Sequence, residues 1–462
     1  MADRLRSKLF FSFLVFLALL SALIILLLPF DSSTKFFFVI LLIIFTLSIL
    51  DYQRGFLVFM FLRPAIDMLT NQGLFSLEGL NINIVFSAFM ALFALIVLIN
   101  NFRDLKEKPL LFLWLIFFAW SVYSLTYSFN ITESVKELAR YASIIFSLAL
   151  GATLIKTNDD LTKLIKVIVW SALFPSLIAL YQFFTNSGWP ENGVNRLYGT
   201  MIHPNMLAFY LLLSITLAMF VFLTVKKSRL EAYIYLFLAL FFSFILAFTY
   251  TRGAYLALLL IILLVGLFKF RKLLVAAALV FLFLYLSSIS FQDRFNTIFN
   301  GDNSGSIAWR WRLYYDGFSY VKEHPVSGYG VGLAEEVIAR NRDFRLGATQ
   351  PHNDYMRLAL EGGFVSLSLY ALLVLVLIVR FLKFYRVEKR ARLQIINIFM
   401  FSLACSIYLA SFGDNILSDT ALEWHFWTLV GALFAVQSVV PKSQDKNDAG
   451  SLKQHGKLEA IS

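Results

Sequence analysis

The sequence predicts an all-α, polytopic membrane protein with about 12–14 transmembrane helices and one large extracytoplasmic loop. Hydrophobic residues make up 59% of the 462 residues and aromatic residues 17%, which is more apolar surface than a soluble domain covers. Apolar runs of membrane-spanning length recur along the chain, with mostly short polar loops between them. Lys and Arg gather in alternate loops, as the positive-inside rule requires.

The apolar runs give the order of the predicted helices. They cover residues 9–30, 35–50, 55–70, 82–100, 110–127, 138–155, 163–184, 204–225, 231–250, 253–268, 273–290, 355–380, 394–412 and 421–440. The runs at 35–50, 55–70 and 253–268 are short, so we expect them to be tilted or re-entrant. The first run has basic residues before it and no small-residue cleavage site after it, so we expect an anchor helix.

The distribution of charge predicts a topology and a division of the chain. Both termini are expected in the cytoplasm and the segment 291–350 outside. We expect N-terminal helices over 1–190, a core over 191–380, C-terminal helices over 381–440 and a disordered tail over 441–462. The net charge of +11 then reflects topology and contact with anionic membrane lipids rather than nucleic acid binding.

Cysteine and histidine usage excludes two classes of site. The single cysteine, Cys405, permits neither a disulfide framework nor a thiolate metal site. The five histidines show no paired spacing of the kind that metals require. We therefore predict no metal site.

The long loop predicts an amphipathic helix. Apolar residues recur at helical spacing between Trp311 and Val321, including Tyr314, Tyr315 and Phe318. Glu323-His324-Pro325 should end this helix, and the glycines from Gly328 to Gly332 should form a flexible turn.

The strongest polar motif lies where this loop returns to an apolar run, at Pro351-His352-Asn353-Asp354. Polar groups at a membrane boundary are costly to keep without a function. A neutral imidazole is a suitable base near physiological pH, so His352 is the candidate general base. Asp354 either orients His352 or caps the following helix.

Arginines at the same predicted membrane face are candidates for binding phosphate, since a guanidinium holds phosphate with two-pronged geometry and stays charged. They are Arg196, Arg252, Arg310 and Arg312. Each has the alternative of reaching lipid head groups. His203, before Pro204, either takes part in the chemistry or simply starts a helix.

Other charged residues have simpler structural interpretations. Arg63 and Asp67, four residues apart, predict an ion pair on one helix face, and Glu137 with Arg140 offers the same option. His425 lies near Glu423 in the last run, so it either pairs internally or is an outside candidate for the site.

The order of four motifs resembles a known family. Arg-Leu-Tyr-Gly-Thr-Met-Ile-His-Pro-Asn at 196–205 is followed by Thr-Arg-Gly-Ala at 251–254. Trp-Arg-Trp-Arg then precedes His-Pro-Val-Ser-Gly-Tyr-Gly-Val-Gly at 324–332, and Pro-His-Asn-Asp-Tyr with Leu-Glu-Gly-Gly closes the series at 351–363. Over residues 190–380 this resembles the O-antigen ligase and O-antigen polymerase superfamily of bacterial membrane glycosyltransferases.

The resemblance implies an activity and roles for individual residues. It implies inverting transfer of a glycan from undecaprenyl pyrophosphate to a glycan or lipid A core acceptor, on the outer face of the bacterial cytoplasmic membrane. It also implies that neither a metal nor a cofactor takes part. Arg196 and Arg252 would bind the pyrophosphate, His352 would activate the acceptor, and Arg310 or Arg312 would match the arginine before the glycine-rich segment. Asn353 and Asp354 would bind substrate beside His352.

Other functions stay open at the level of sequence. A flippase or transporter for lipid-linked oligosaccharide shares the substrate, but it usually has repeated halves, which this chain lacks. A peptidoglycan-type polymerase, a protein O-oligosaccharyltransferase and a non-enzymatic scaffold are the remaining alternatives. Ligation and polymerisation are not separated by these motifs.

Overall fold

The computed structural model describes residues 51–71, 76–77, 80–101, 109–191, 193–225, 228–287, 306–341 and 349–438, with a few isolated positions elsewhere. The predicted anchor helix over 9–30 and the predicted tail over 441–462 lie outside the described residues.

The described chain is helical apart from two short hairpins, which confirms the all-α class. The helices of the first half are α1 (Tyr52–Asn71), α2 (Ile82–Asn100), α3 (Pro109–Tyr123), α4 (Ile131–Leu154), α5 (Asn158–Ser171), α6 (Leu173–Thr185), α7 (Pro204–Thr224) and α8 (Arg229–Ala247). Those of the second half are α9 (Arg252–Phe268), α10 (Arg271–Ser287), α11 (Ser306–Glu323), α12 (Ala334–Asn341), α13 (Asp354–Val387), α14 (Ala391–Ala410) and α15 (Thr420–Ser438). The antiparallel hairpins are β1 (Ser76–Leu77) with β2 (Leu80–Asn81), and β3 (Trp189–Glu191) with β4 (Val194–Arg196).

Within the described ranges, seven helical segments are long and apolar enough to cross a membrane. They are Pro109–Thr126, Ile131–Leu154, Asn158–Thr185, Pro204–Thr224, Arg229–Ala247, Asp354–Val387 and Ala391–Ala410. Two shorter apolar helices, Ser87–Asn100 and Arg252–Phe268, accompany them. The polytopic architecture is thus confirmed, while the total of about 12–14 spans stays a prediction.

Helices α4 and α15 approach each other closely because glycines face each other's backbone. A Cβ atom at Gly151 of α4 would lie 2.1 Å from the carbonyl oxygen of Thr428, and one at Gly431 of α15 would lie 2.1 Å from that of Leu148. Small residues permit such close backbone contact. In a membrane this packing stabilises helix association, because lipid tails are themselves apolar and provide no hydrophobic driving force between helices.

The two predicted ion pairs are present. Arg63 Nη1 lies 2.9 Å from Asp67 Oδ1, with both side chains buried, and the guanidinium also stacks on Trp424. Arg140 contacts Glu137 on one face of α4. The optional pairing of His425 with Glu423 is not formed, because Glu423 Oε2 accepts from Trp427 Nε1 at 2.8 Å while the His425 ring faces backbone carbonyls.

Helix α11 ends at Glu323, as the Glu323-His324-Pro325 segment predicts, but its buried face differs from the prediction. Leu313 and Val321 are buried, whereas Tyr315 and Phe318 are exposed. The partners of the buried face are α12 and the start of α13, including Val337, Ile338 and Leu360. These three helices share a small hydrophobic core of their own, which the spacing within α11 alone did not reveal.

The glycine-rich segment after α11 was predicted to be a flexible turn. It is instead held by hydrogen bonds to α13, at a point where that helix is interrupted. Gly362 and Gly363 leave helical geometry, with φ of +65° at Gly363. The carbonyls of Leu360 and Glu361 accept from the backbone N–H groups of Tyr329 and Gly330, each at 2.9 Å. The Leu-Glu-Gly-Gly motif and the glycine-rich segment therefore form one interlocked unit, which holds the start of α13 in place.

Candidate functional site at the converging helix ends

His352 lies immediately before the helix that carries its motif. Its backbone has φ of +43°, a left-handed conformation that a residue with a Cβ adopts only when its surroundings hold it there. The hydroxyl of Tyr314, on α11, donates to the His352 carbonyl oxygen at 3.1 Å. Asn353 caps α13, since its Oδ1 accepts from the N–H of Met356 at 3.0 Å. His352 is therefore held in place by α11, through Tyr314, and by the capped start of α13.

A carboxylate that the sequence motifs do not single out lies close to the His352 imidazole. Nδ1 of His352 lies 3.8 Å from Oδ1 of Asp414, in the loop between α14 and α15. The same loop fastens to the start of α13, where Asp354 N–H donates to the Ser411 carbonyl at 3.0 Å and Asn353 N–H donates to Asn415 Oδ1 at 3.1 Å. These two hydrogen bonds hold Asp414 beside His352.

Asn205 connects this carboxylate to Arg196. Its amide nitrogen donates to Asp414 Oδ2 at 2.5 Å, and its amide oxygen accepts from Arg196 Nη2 at 2.6 Å. The hydroxyl of Thr251 lies 3.2 Å from the same amide oxygen. The amide thus bridges the anionic and cationic parts of the site, and its two ends are fixed by their different partners.

Arg196 is buried and bonded on several sides. Its Nε donates to the Thr249 carbonyl at 2.7 Å, and Nη1 lies 2.5 Å from Glu191 Oε2. Its Nη2 also donates to Thr251 Oγ1 at 3.0 Å. These contacts join hairpin β3–β4 to the chain between α8 and α9, and they leave little of the guanidinium available to a ligand unless Glu191 moves.

His203 caps α7 with its ring. The N–H of Asn205 donates to His203 Nδ1 at 3.2 Å, so Nδ1 is the unprotonated nitrogen of a neutral ring and Nε2 carries the hydrogen. Burial, reinforced by the Arg196 charge, lowers the pKa of His203 below its ordinary value. His203 therefore starts the helix, as one interpretation predicts, and also presents a neutral N–H donor.

The remaining predicted arginines lie at different depths in the site. Arg310 Nη1 donates to the Gly413 carbonyl at 2.9 Å, directly beside Asp414. Arg252 is the half-buried first residue of α9, next to Thr251. Arg312 is exposed. It follows Arg310 by two positions in α11, and residues two apart in a helix lie on nearly opposite sides of it. Arg252 and Arg310 are thus placed with the cluster, and Arg312 is not.

Asp354 does not perform either of the roles that the motif suggested. It is fully buried, and its Oδ2 accepts from the N–H of Leu417 at 2.9 Å. Asn353 rather than Asp354 caps α13, and Asp414 rather than Asp354 lies against the imidazole. Asp354 instead anchors the turn that follows Asp414, so it stabilises the position of Asp414 indirectly.

Sequence reasoning missed Asp414 and the bridging role of Asn205. Asp414 lies in a short polar loop, Gly413-Asp414-Asn415, whose only signal was its predicted position at the same membrane face. Asn205 was part of a quoted motif without an assigned role. Asp414 lies far along the chain from both His352 and Asn205, so the sequence does not show that these residues meet.

The fold and the site together define a class: a polytopic helical membrane protein with a His, Asp and Arg cluster where helices α7, α9 and α13 begin. Residues 236–371 match the family model described as O-antigen ligase. Over this segment the match confirms the resemblance that the order of motifs indicated. It includes Arg252, Arg310 and His352, whereas Arg196, His203 and Asp414 lie outside it. No curated protein matches the chain.

Proposed function

We propose that this protein transfers a glycan from undecaprenyl pyrophosphate to an acceptor hydroxyl on the outer face of the bacterial cytoplasmic membrane. The observation that carries the proposal is the placement of His352 against Asp414, within a cluster that also contains Arg196 and Arg310. The match to the O-antigen ligase family supports the general type of activity. The donor, the orientation in the membrane and the residue roles are proposed.

His352 is the proposed general base. The acceptor oxygen forms a bond to the anomeric carbon, the bond from that carbon to the pyrophosphate oxygen breaks, and the acceptor proton passes to the imidazole. Asp414 stabilises the resulting imidazolium, because an opposite charge close to a histidine favours its protonated form. General base catalysis of this kind contributes on the order of 10²–10⁴ in rate. Direct displacement inverts the anomeric centre, and no step needs a metal.

The leaving pyrophosphate needs positive charge near the same point. Arg252 and Arg310 are the proposed ligands, since both lie beside the cluster at helix ends. The first residues of α7, α9 and α13 also lie at this end, and helix N-termini favour anions. Arg196 has two possible roles. It either contributes its charge without contacting the pyrophosphate, or it breaks its ion pair with Glu191 and binds a phosphate oxygen instead. Fixed positive groups stabilise developing negative charge without reorganisation.

The proposal is tested with purified protein and a lipid-linked repeat unit, with and without lipid A core. His352→Ala and Arg252→Ala are expected to lower the rate of glycan transfer by at least about 100-fold, since each removes a group that acts on the transition state. His324→Ala and Arg340→Ala are matched controls, because both residues are exposed and lie apart from the cluster. Normal transfer by both His352→Ala and Arg252→Ala would overturn the proposed mechanism.

The products of the same assay separate the remaining alternatives. A ladder of products that forms without the core indicates a polymerase, and a single product that requires the core indicates a ligase. Transfer to protein Ser or Thr would indicate a protein O-oligosaccharyltransferase. Movement of the lipid-linked glycan across proteoliposomes without any transfer would support the transporter instead.

A further inference from the structure

Hairpin β3–β4 places an exposed tryptophan beside the cluster. The hairpin lies between α6 and α7, and its register pairs Trp189 directly with Arg196. Arg196 is buried among the groups of the site, whereas Trp189 is 43% exposed. The strand pairing therefore fixes the tryptophan at the edge of the site, adjacent to its most enclosed cation.

The indole ring also contacts a histidine of the site. Its centroid lies 5.5 Å from that of His203 and 6.4 Å from that of Tyr198, with steep angles between the planes in both pairs. A tryptophan at a membrane boundary ordinarily anchors a helix in the head-group region. Trp189 differs because it belongs to a strand, and because its ring contacts His203 of the site.

A carboxylate shares the same side of the strand. Glu191 is two residues from Trp189, and residues two apart in a strand point to the same face. Its side chain is 41% exposed, and its Oε2 pairs with Arg196. Ionised carboxylates accept hydrogen bonds from hydroxyl groups, and each oxygen has more than one acceptor site.

These features match the two surfaces of a sugar ring. A pyranose presents an apolar C–H face, which packs on a flat aromatic ring, and a rim of hydroxyls, which bind polar acceptors. Tryptophan supplies a large, rigid contact area of this kind at low entropic cost. Binding sites commonly combine such apolar contact with a few placed polar groups.

We propose that hairpin β3–β4 is a saccharide subsite, in which Trp189 stacks on a pyranose ring of the substrate glycan and Glu191 accepts hydrogen bonds from its hydroxyls. This inference rests on the proposed function, because it assigns a place to the glycan that the cluster would transfer. The subsite contributes to binding the sugar and takes no part in the chemical step.

The test separates sugar binding from catalysis. The full chain in detergent is mixed with the reducing oligosaccharide that mild acid releases from the lipid-linked repeat, and saturation transfer from protein to sugar is measured by NMR. Trp189→Ala is expected to abolish the transfer signal, and Trp189→Phe to retain most of it because an aromatic face remains. Phe184→Ala is the matched control, since Phe184 is a more exposed aromatic residue at the end of α6, close to the hairpin.

The glycan transfer assay provides the second measurement. Trp189→Ala should raise KM for the lipid-linked repeat roughly tenfold, with kcat changed little, because stacking holds substrate and transition state alike. A saturation-transfer signal and KM equal to those of the wild type would overturn the subsite while leaving the proposed function intact. A wild-type protein that binds the sugar but transfers no glycan would instead overturn the proposed function alone.

Discussion

His425 Nε2 lies 2.7 Å from the carbonyl oxygen of Met60, and Met60 is four residues before Pro64 in α1. Proline has no backbone N–H, so Pro64 leaves this carbonyl without its ordinary helical donor. Inside a membrane protein such a group must find another partner, because water does not reach it. The imidazole from α15 supplies that partner in its Nε2–H tautomer and joins the two helices at this point.

Removing the imidazole should therefore destabilise the fold. His425→Phe keeps a ring against Tyr210, whose centroid lies 5.3 Å away, but leaves the Met60 carbonyl unsatisfied. We expect a loss of about 1–3 kcal/mol, the usual cost of a buried polar group without a partner. Thermal unfolding of the protein in detergent, followed by intrinsic fluorescence, measures the effect.

Pro64→Ala provides the control for this interpretation. It restores an N–H group four residues after Met60, so it should recover part of the loss in the His425→Phe background. A double-mutant cycle with Pro64→Ala and His425→Phe should show a coupling of about 0.5–3 kcal/mol. Strictly additive effects would show that the two residues do not share the carbonyl.

Gly363 should tolerate no side chain. Its φ of +65° and ψ of −167° lie in a region that is essentially restricted to glycine and costs a residue with a Cβ about 1–3 kcal/mol, and an added Cβ would lie 2.2 Å from the Val326 carbonyl oxygen. Gly363→Ala should therefore release the interlock between α13 and the glycine-rich segment. A lowered midpoint of thermal unfolding and a loss of glycan transfer are the expected measurements.

Gly193 is the matched control for this substitution. Its φ is +77°, but an added Cβ would meet no atom within 4 Å. Gly193→Ala isolates the conformational cost, so it should lower stability by only about 1–2 kcal/mol. Equal effects of the two substitutions would mean that the close backbone contact at Gly363 is unimportant.

Asn205→Asp should disturb the electrostatics beside His352 while preserving shape. The new carboxylate would replace the amide nitrogen that lies 2.5 Å from Asp414 Oδ2. Two carboxylates at this separation cannot both ionise easily, so one proton is retained to higher pH. We expect glycan transfer to fall about tenfold at neutral pH, and its pH optimum to move upward.

The conservative substitution Asn341→Asp serves as a control on the surface. Asn341 lies at the end of α12 and is exposed. A pH profile of Asn205→Asp that coincides with those of Asn341→Asp and the wild type would contradict the proposed bridge between Arg196 and Asp414.

Asp419 should make stability depend on pH. It is buried between the 416–418 turn and α15, where its Oδ1 accepts from Leu422 N–H at 3.1 Å, and burial raises its pKa to about 7. An unfolded aspartate has a pKa of about 3.9, so between these values the folded state holds a proton that the unfolded state has released. Stability should therefore fall as pH rises from about 4 to about 7 and level off above that range.

Asp419→Asn removes this titration, and its unfolding midpoint should decline less steeply over the same interval. The measurement is thermal unfolding in detergent at a series of pH values. Asp159→Asn, at an exposed position near the start of α5, should leave the slope unchanged. Parallel slopes for Asp419→Asn and the wild type would show that the buried carboxyl has no part in the pH dependence.

Local patterns in the sequence predict much of this architecture. Apolar runs mark most of the described helices, a Glu-His-Pro segment marks the end of α11, and the spacing of Arg63 and Asp67 marks an ion pair. These features depend on neighbours within a few turns. The break at Gly362 and Gly363 inside the predicted 355–380 run, and the split of the 163–184 run between α5 and α6, were not predicted, because the overall hydropathy of each run is that of a single helix.

The sequence by itself determined the class of the protein, the motif around His352 and the arginines that precede it in the chain. Only the tertiary structure decided that Asp414, rather than Asp354, lies against His352 and that Asn205 links this carboxylate to Arg196. Hydrophobic periodicity records which face of a helix is buried, but it does not record which distant helix end meets which. That choice follows from the packing of the bundle, where polar groups that are remote in sequence must satisfy one another.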